Sequence, residues 1–145
     1  MHKVRIMALA ALATLTAAPS AQAQQGASFT VAVSELRSTQ GQLIVCLFAT
    51  RDRFPICRQG DGVPRHVFRV TGQTMRVTVP LPRPGSYAVT VIHDEDMNGR
   101  LKQNFIGMPT EGVGVTGNPG GIPRFAGSVV DLAAGSVVGV RVRYL

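Results

Sequence analysis

The chain reads as an all-β, antiparallel sandwich, and three observations predict it. Apolar residues recur at every second position rather than at helical spacing. Gly and Pro, 16 and 9 of the 145 residues, punctuate almost every segment and leave little room for helix. About seven strand-length segments then fit between Gly/Pro turns, the pattern of two packed sheets.

The elements follow in order. Phe29, Val31 and Val33 alternate with Thr30, Ala32 and Ser34, which predicts a strand with one buried face. Gly41 to Ala49 is apolar at both parities and predicts a central strand covered on both sides. The one weak helical candidate is Arg51 to Phe54, where the chain leaves that strand. Val67 to Val70 is a short strand, and Met75, Val77 and Val79 alternate with Thr74, Arg76 and Thr78 in the next. The proline-rich connector Pro80 to Pro84 leads into a mostly apolar strand from Gly85 to His93. Ser128 to Leu132 is a further short strand. The last has Val138, Val140, Val142 and Tyr144 on one face and Gly139, Arg141 and Arg143 on the other. From His93 to Gly127 no alternation is evident, and a glycine-rich segment of that length inside a small domain is expected to be functional or mobile.

Ahead of the first strand stands an export leader. His2, Lys3 and Arg5 open it, an uncharged run from Ile6 to Ala18 follows, and Ala21-Gln22-Ala23 offers the small–x–small pattern that signal peptidase cuts. The run is shorter than the roughly 20 residues that span a bilayer. An uncut membrane anchor is the alternative. No later stretch is long enough to span. Cleavage after Ala23 leaves Gln24 to Leu145 as one domain, periplasmic or secreted. The net charge falls from +7 to +5, because Lys3 and Arg5 leave with the leader. Arg51, Arg53, Arg58, Arg65, Arg69 and Arg76 are scattered and carry no nucleic-acid motif, so nucleic acid is not an expected partner. A small ligand or an envelope component is. In an oxidising compartment Cys46 and Cys57 are expected to pair; free thiols or a redox or metal pair are the alternatives, and the spacing is not C-x-x-C.

The long segment begins His93-Asp94-Glu95-Asp96-Met97-Asn98-Gly99-Arg100. Asp94, Asp96, Asn98 and Gly99 match the opening of a calcium loop, whose alternate oxygens converge around a sharp turn, and the Arg100 carbonyl is a further candidate ligand. The twelfth position should then be a bidentate Glu and is Phe105, while Lys102 adds a positive charge. The competing reading is an Asx turn in which Asp94 and Asp96 accept backbone N–H bonds. His93 with Asp94, Glu95 and Glu111 supplies groups for acid/base work, and His66 is the other histidine after the leader. Ser86, Thr110 and Thr116 offer hydroxyls, but none sits in a nucleophile-elbow pattern, so no catalytic residue is assigned.

The same segment carries a longer pattern. His93-Asp94-Glu95, Asn98-Gly99-x-Leu101 and Asn104-Phe105-Ile106-Gly107-x-Pro109-x-Glu111-Gly112-x-Gly114 resemble the signature of the bacterial DUF2141 family. The matched core is residues 93–118, and the strand before it and the tail fit as well. The resemblance implies an exported domain of unknown function with an Ig-like or transthyretin-like sandwich, and it brings no activity or ligand. Asp96-Met97, Lys102, Val113 and Val115 depart from the family's usual residues; Lys102 in place of Asp weakens a calcium site. A purely structural role is open too. Phe105 and Ile106 would plug the end of the sandwich, Gly107, Gly112 and Gly114 would let the chain cross closely, and Asn104 and Glu111 would bond loop backbone.

These readings favour a non-catalytic envelope domain that binds a ligand or partner through the His93–Asn118 loop, or uses that loop as a cap. The alternative is a calcium-dependent module or a hydrolase acting on envelope glycans or lipids through His93, Asp94 and Glu111. Catalysis requires those side chains to converge on an open pocket. A structural role buries them in backbone hydrogen bonds.

Overall fold

The computed structural model describes residues 26–145. The leader expected at residues 1–23 lies outside them. Two sheets make the fold. The smaller holds β1 (Ser28–Ser34), β4 (Met75–Pro80) and β8 (Val137–Arg141) in the order β4-β1-β8. The larger runs β3 (Arg65–Arg69), β2 (Gln42–Phe48), β5 (Gly85–Asp94) and β6 (Gly112–Val115), with β7 (Val129–Leu132) pairing the first half of β5.

Alternation decides the packing. Phe29, Val31 and Val33 of β1 and Val77 and Val79 of β4 face Leu43, Val45 and Leu47 of β2 and Tyr87, Val89 and Val91 of β5 in one core between the sheets. Each such side chain contributes roughly 1.5–3 kcal/mol on burial. The opposite parity of β2 and β5 is apolar for a second reason. Ile44, Cys46, Phe48, Ala88 and Ile92 form a second cluster on the far face of the large sheet, covered by Phe54, Val63 and Leu101 from the loops and by Phe125 from a short helix. Cys57 belongs to that cluster and lies at disulfide distance from Cys46, with Cα atoms 6.3 Å apart.

Several expectations change. Among the described residues there are eight strands, where about seven were expected. The sandwich is not wholly antiparallel, because β8 runs parallel to β1. The chain changes sheets in the tight turn between Leu132 and Val137, where Ala133 N–H donates to Ser136 Oγ at 2.9 Å and Thr30 N–H to the Ser136 carbonyl at 2.8 Å. Residues 51–54 form turns, and the helix is α1 (Phe125–Ser128).

The added strand, β6, lies inside the segment expected to lack strands. It pairs β5 antiparallel, with His93 opposite Gly112 and Val91 opposite Gly114. Its inward positions are glycines for a steric reason: a Cβ at Gly112 would collide with Tyr144 and Val142, and one at Gly114 with the Arg141 carbonyl. Val113 and Arg143 exchange two backbone bonds of 2.9 Å, which joins the edge of the large sheet to the segment just after β8.

Candidate functional site

The site is organised by the end of β5. Successive side chains of a strand point to opposite faces, so His93 enters the space between the sheets while Asp94 faces the outer side under the loop. Both are fully buried. His93 Nε2 lies 2.8 Å from the Gln40 carbonyl, which can only accept, so that nitrogen carries hydrogen. The Tyr144 hydroxyl, 2.6 Å from Nδ1, is then free to donate there while accepting the Arg37 N–H at 3.1 Å. Burial pushes the Tyr144 phenol up in pKa, and the Arg37 guanidinium lies 4.4 Å from the centre of its ring.

Asp94 is the hub of the turn. Its Oδ2 accepts from Gln42 Nε2 at 2.7 Å and from Gly99 N–H at 2.8 Å, and its Oδ1 accepts Asn98 N–H at 3.1 Å. Gln42 stands directly across the strand pair from Asp94, which is why its amide reaches. Asp96 Oδ1 also takes Asn98 N–H at 3.1 Å, and Asn98 Oδ1 takes Arg100 N–H at 2.9 Å. Arg65 of β3 donates to the Gly99 carbonyl at 2.8 Å. Gly41 makes the close crossing possible: at φ 76°, a Cβ there would strike the Asp94 carbonyl.

Glu111 returns to this turn from 17 residues downstream of Asp94 and is buried. Its two oxygens each accept a backbone N–H at 3.0 Å, from Glu95 and from Lys102. Glu95 turns outward and binds Arg37 in an ion pair, with Ser38 Oγ donating to it at 2.8 Å. The Arg37 guanidinium holds the Glu95 carboxyl below the usual carboxylate range, and Glu95 raises Arg37 in return. Asp94, Asp96 and Glu111 each offer a carboxylate oxygen within 4.8 Å of the others. Lys102 Nζ sits 3.5 Å from Asp96 Oδ2 and partly offsets their charge. Asn98 Oδ1 accepts the Arg100 N–H, and Phe105 is 98% exposed.

Beyond the turn, residues 102–110 form a small hairpin. Asn104 Oδ1 accepts Ile106 N–H at 3.1 Å and Met108 N–H at 3.0 Å, and Thr110 N–H reaches the Lys102 carbonyl at 2.9 Å. The expectation that Phe105 and Ile106 plug the sandwich is therefore corrected. The Asn104 turn places them at the hairpin tip, in solvent. Gly107 has open space beside it and serves the turn, at φ 81°, rather than a close crossing. Thr116 is buried: it accepts Val89 N–H at 3.0 Å and donates to the Ser128 carbonyl. Asn118 Oδ1 caps Arg141 N–H at 2.8 Å. His66 lies apart on β3, where burial lowers its imidazole pKa.

The outer side of the loop carries a groove of about 470 Å³. Its floor is Val113 and Val115 of β6, and its walls come from Leu101, Met108, Ile122 and Leu145. Arg141 and Arg143 also line it. Sequence reasoning missed this groove, because four separated segments assemble it. The available signal was the set of apolar residues in the glycine-rich stretch that fit no periodicity.

Among the described residues no helix is long and apolar enough to cross a membrane. No curated protein and no solved structure matches the chain. A family profile, "Uncharacterized protein conserved in bacteria (DUF2141)", does match, over residues 31–138. Those residues hold the second half of β1, all of β2 to β7, the Asp94 turn and most of the groove, and the chain belongs to the DUF2141 family.

Proposed function

We propose that this is an exported, non-catalytic domain of the bacterial cell envelope that binds a ligand or partner on its His93–Asn118 loop. One observation carries the reading. The groups that could do chemistry, His93, Asp94, Glu111 and Thr116, are buried and engaged in hydrogen bonds, whereas the outer side of the same loop offers an open apolar groove. A volume of about 470 Å³ is in the range of small-molecule pockets. The hydrogen-bonded turn behind it keeps the groove formed without a ligand, which limits the entropy lost on binding. Export is supported by the leader pattern and by the cysteine pair at disulfide distance.

A neutral fluorescent apolar probe, N-phenyl-1-naphthylamine, tests the reading. Its emission rises on binding, and Ile122→Asp, a change at a residue 89% exposed, removes that rise while the melting temperature holds. No binding, or binding indifferent to Ile122→Asp, counts against the groove. For export, protein recovered from the periplasm begins at Gln24; a retained leader contradicts cleavage.

A calcium-dependent form of the same reading has one observation in its favour, the convergence of Asp94, Asp96 and Glu111. Asp94 Oδ1, Asp96 Oδ1 and both Glu111 oxygens each accept a single N–H and keep a lone pair for a hard cation. Titration calorimetry of metal-free protein with Ca²⁺ decides it. Absence of both heat and a melting shift removes it.

A further inference from the structure

We infer that the groove takes a single-chain anionic amphiphile, an acyl chain ending in a carboxylate or phosphate, as a free monomer. The inference rests on the groove reading above and adds the chemistry of the occupant.

The two halves of the ligand are specified separately. Val113, Val115, Leu101, Met108 and Ile122 offer only carbon and sulfur to whatever lies along the floor and walls, so that part of the occupant is hydrocarbon. The charged side chains on the groove are not balanced. Arg143 makes no ion pair among the described residues. Arg141 pairs with Glu35 at 3.2 Å, but the two side chains are 53% and 58% exposed, so the pair is weak and readily exchanged. Glu111 is the acidic side chain of the lining, and its oxygens are turned to the Glu95 and Lys102 amides. Arginine's planar fork matches a carboxylate or phosphate through two parallel bonds. Arg141 and Arg143 stand two residues apart on one face, alternating with buried Val140 and Val142, and the Val113–Arg143 backbone bonds hold the second in place. A head group between them completes the groove; a neutral or cationic head leaves them unmet.

Displacement of bound N-phenyl-1-naphthylamine tests this, with dodecanoate, dodecyl phosphate, dodecanol and dodecyltrimethylammonium, each below its micelle concentration. The anionic pair displaces the probe best, and its advantage over dodecanol shrinks as salt rises. The Arg141→Gln/Arg143→Gln variant weakens dodecanoate about tenfold or more and weakens dodecanol and the probe far less; an equal loss for all three overturns the head-group assignment. The salt dependence reads the same contact in unmodified protein, should the variant fold poorly. Equal displacement by all four compounds, with no effect of salt, overturns the head-group assignment and leaves the groove reading standing. Failure of the neutral probe itself to bind removes both. Capture on anionic phospholipid vesicles without monomer binding overturns the inference in favour of a membrane surface.

Discussion

Replacing Asp94 by alanine removes one buried carboxylate, strands two donors, Gln42 Nε2 and Gly99 N–H at 2.7 and 2.8 Å, and leaves Asn98 N–H, at 3.1 Å, with Asp96 Oδ1 alone. Bonds to an ionised acceptor are worth roughly 1.5–3 kcal/mol each when the donor stays dry. Asn98 is exposed and Gln42 and Gly99 are partly so, which lets water recover part of each bond. A net loss of about 1 kcal/mol for each of Gln42 and Gly99, and about half that for the shared Asn98 bond, gives about 2.5 kcal/mol in all. For a chain of this size that lowers the melting temperature by roughly 10 °C. The assay is urea unfolding followed by circular dichroism, with a chelator present so that no bound cation contributes. Asp94→Asn keeps one acceptor oxygen and loses about half as much. Asp96→Ala, at an exposed carboxylate, leaves the midpoint in place. A loss below about 1 kcal/mol for Asp94→Ala, or an equal loss for Asp96→Ala, refutes the claim that Asp94 organises the turn.

Other consequences follow from the same geometry. Tyr144→Phe leaves His93 Nδ1 buried without its partner and costs about 1–2 kcal/mol, measured by the same unfolding curves; an unchanged midpoint contradicts the network. Glu95→Gln reports on the Arg37 pair. Because the Arg37 pair depresses the folded-state pKa of Glu95, its stabilisation is present at neutral pH and fades as pH falls from the ordinary carboxylate range through that depressed pKa, so variant and parent converge in acid. The Arg37 side chain is 48% exposed, which keeps the neutral-pH difference under about 1 kcal/mol. A gap that widens in acid contradicts the sign. Reducing the Cys46–Cys57 pair opens a loop of 11 residues' separation and costs about 3 kcal/mol in the chain-entropy treatment; thiol titration of denatured, unreduced protein finds no free thiol.

The sheets were readable because their residues alternate. β1 and β4 each bury one parity, and β2 and β5 bury both because loops cover the large sheet's far face. β6 was not readable. Its inward residues are Gly112 and Gly114, so the strand shows no apolar alternation, and the reason for those glycines is a set of neighbours 26 to 32 positions downstream. The parallel pairing of β8 with β1 is likewise a property of the sheet-changing turn and not of either strand's pattern. At the site, the Asx turn was legible because its bonds span only a few residues. Glu111 reaches the turn from farther away, and Gln40, Gln42, Arg37 and Tyr144 join it through contacts 51 to 107 residues apart in sequence. Spacing carries no trace of such contacts. Phe105 and Ile106 misled for a related reason: apolar residues in a glycine-rich loop suggest burial, but the Asn104 turn directs them outward.

The central claim is that a preformed, hydrogen-bonded loop presents a binding groove. Amide chemical-shift mapping during titration with N-phenyl-1-naphthylamine tests it most directly. The account predicts shifts concentrated at Leu101, Met108, Val113, Val115 and Ile122, with the Asn98 and Gly99 amides protected from exchange before and after binding. Shifts confined to other surfaces, or unprotected Asn98 and Gly99 amides in the free protein, would contradict it.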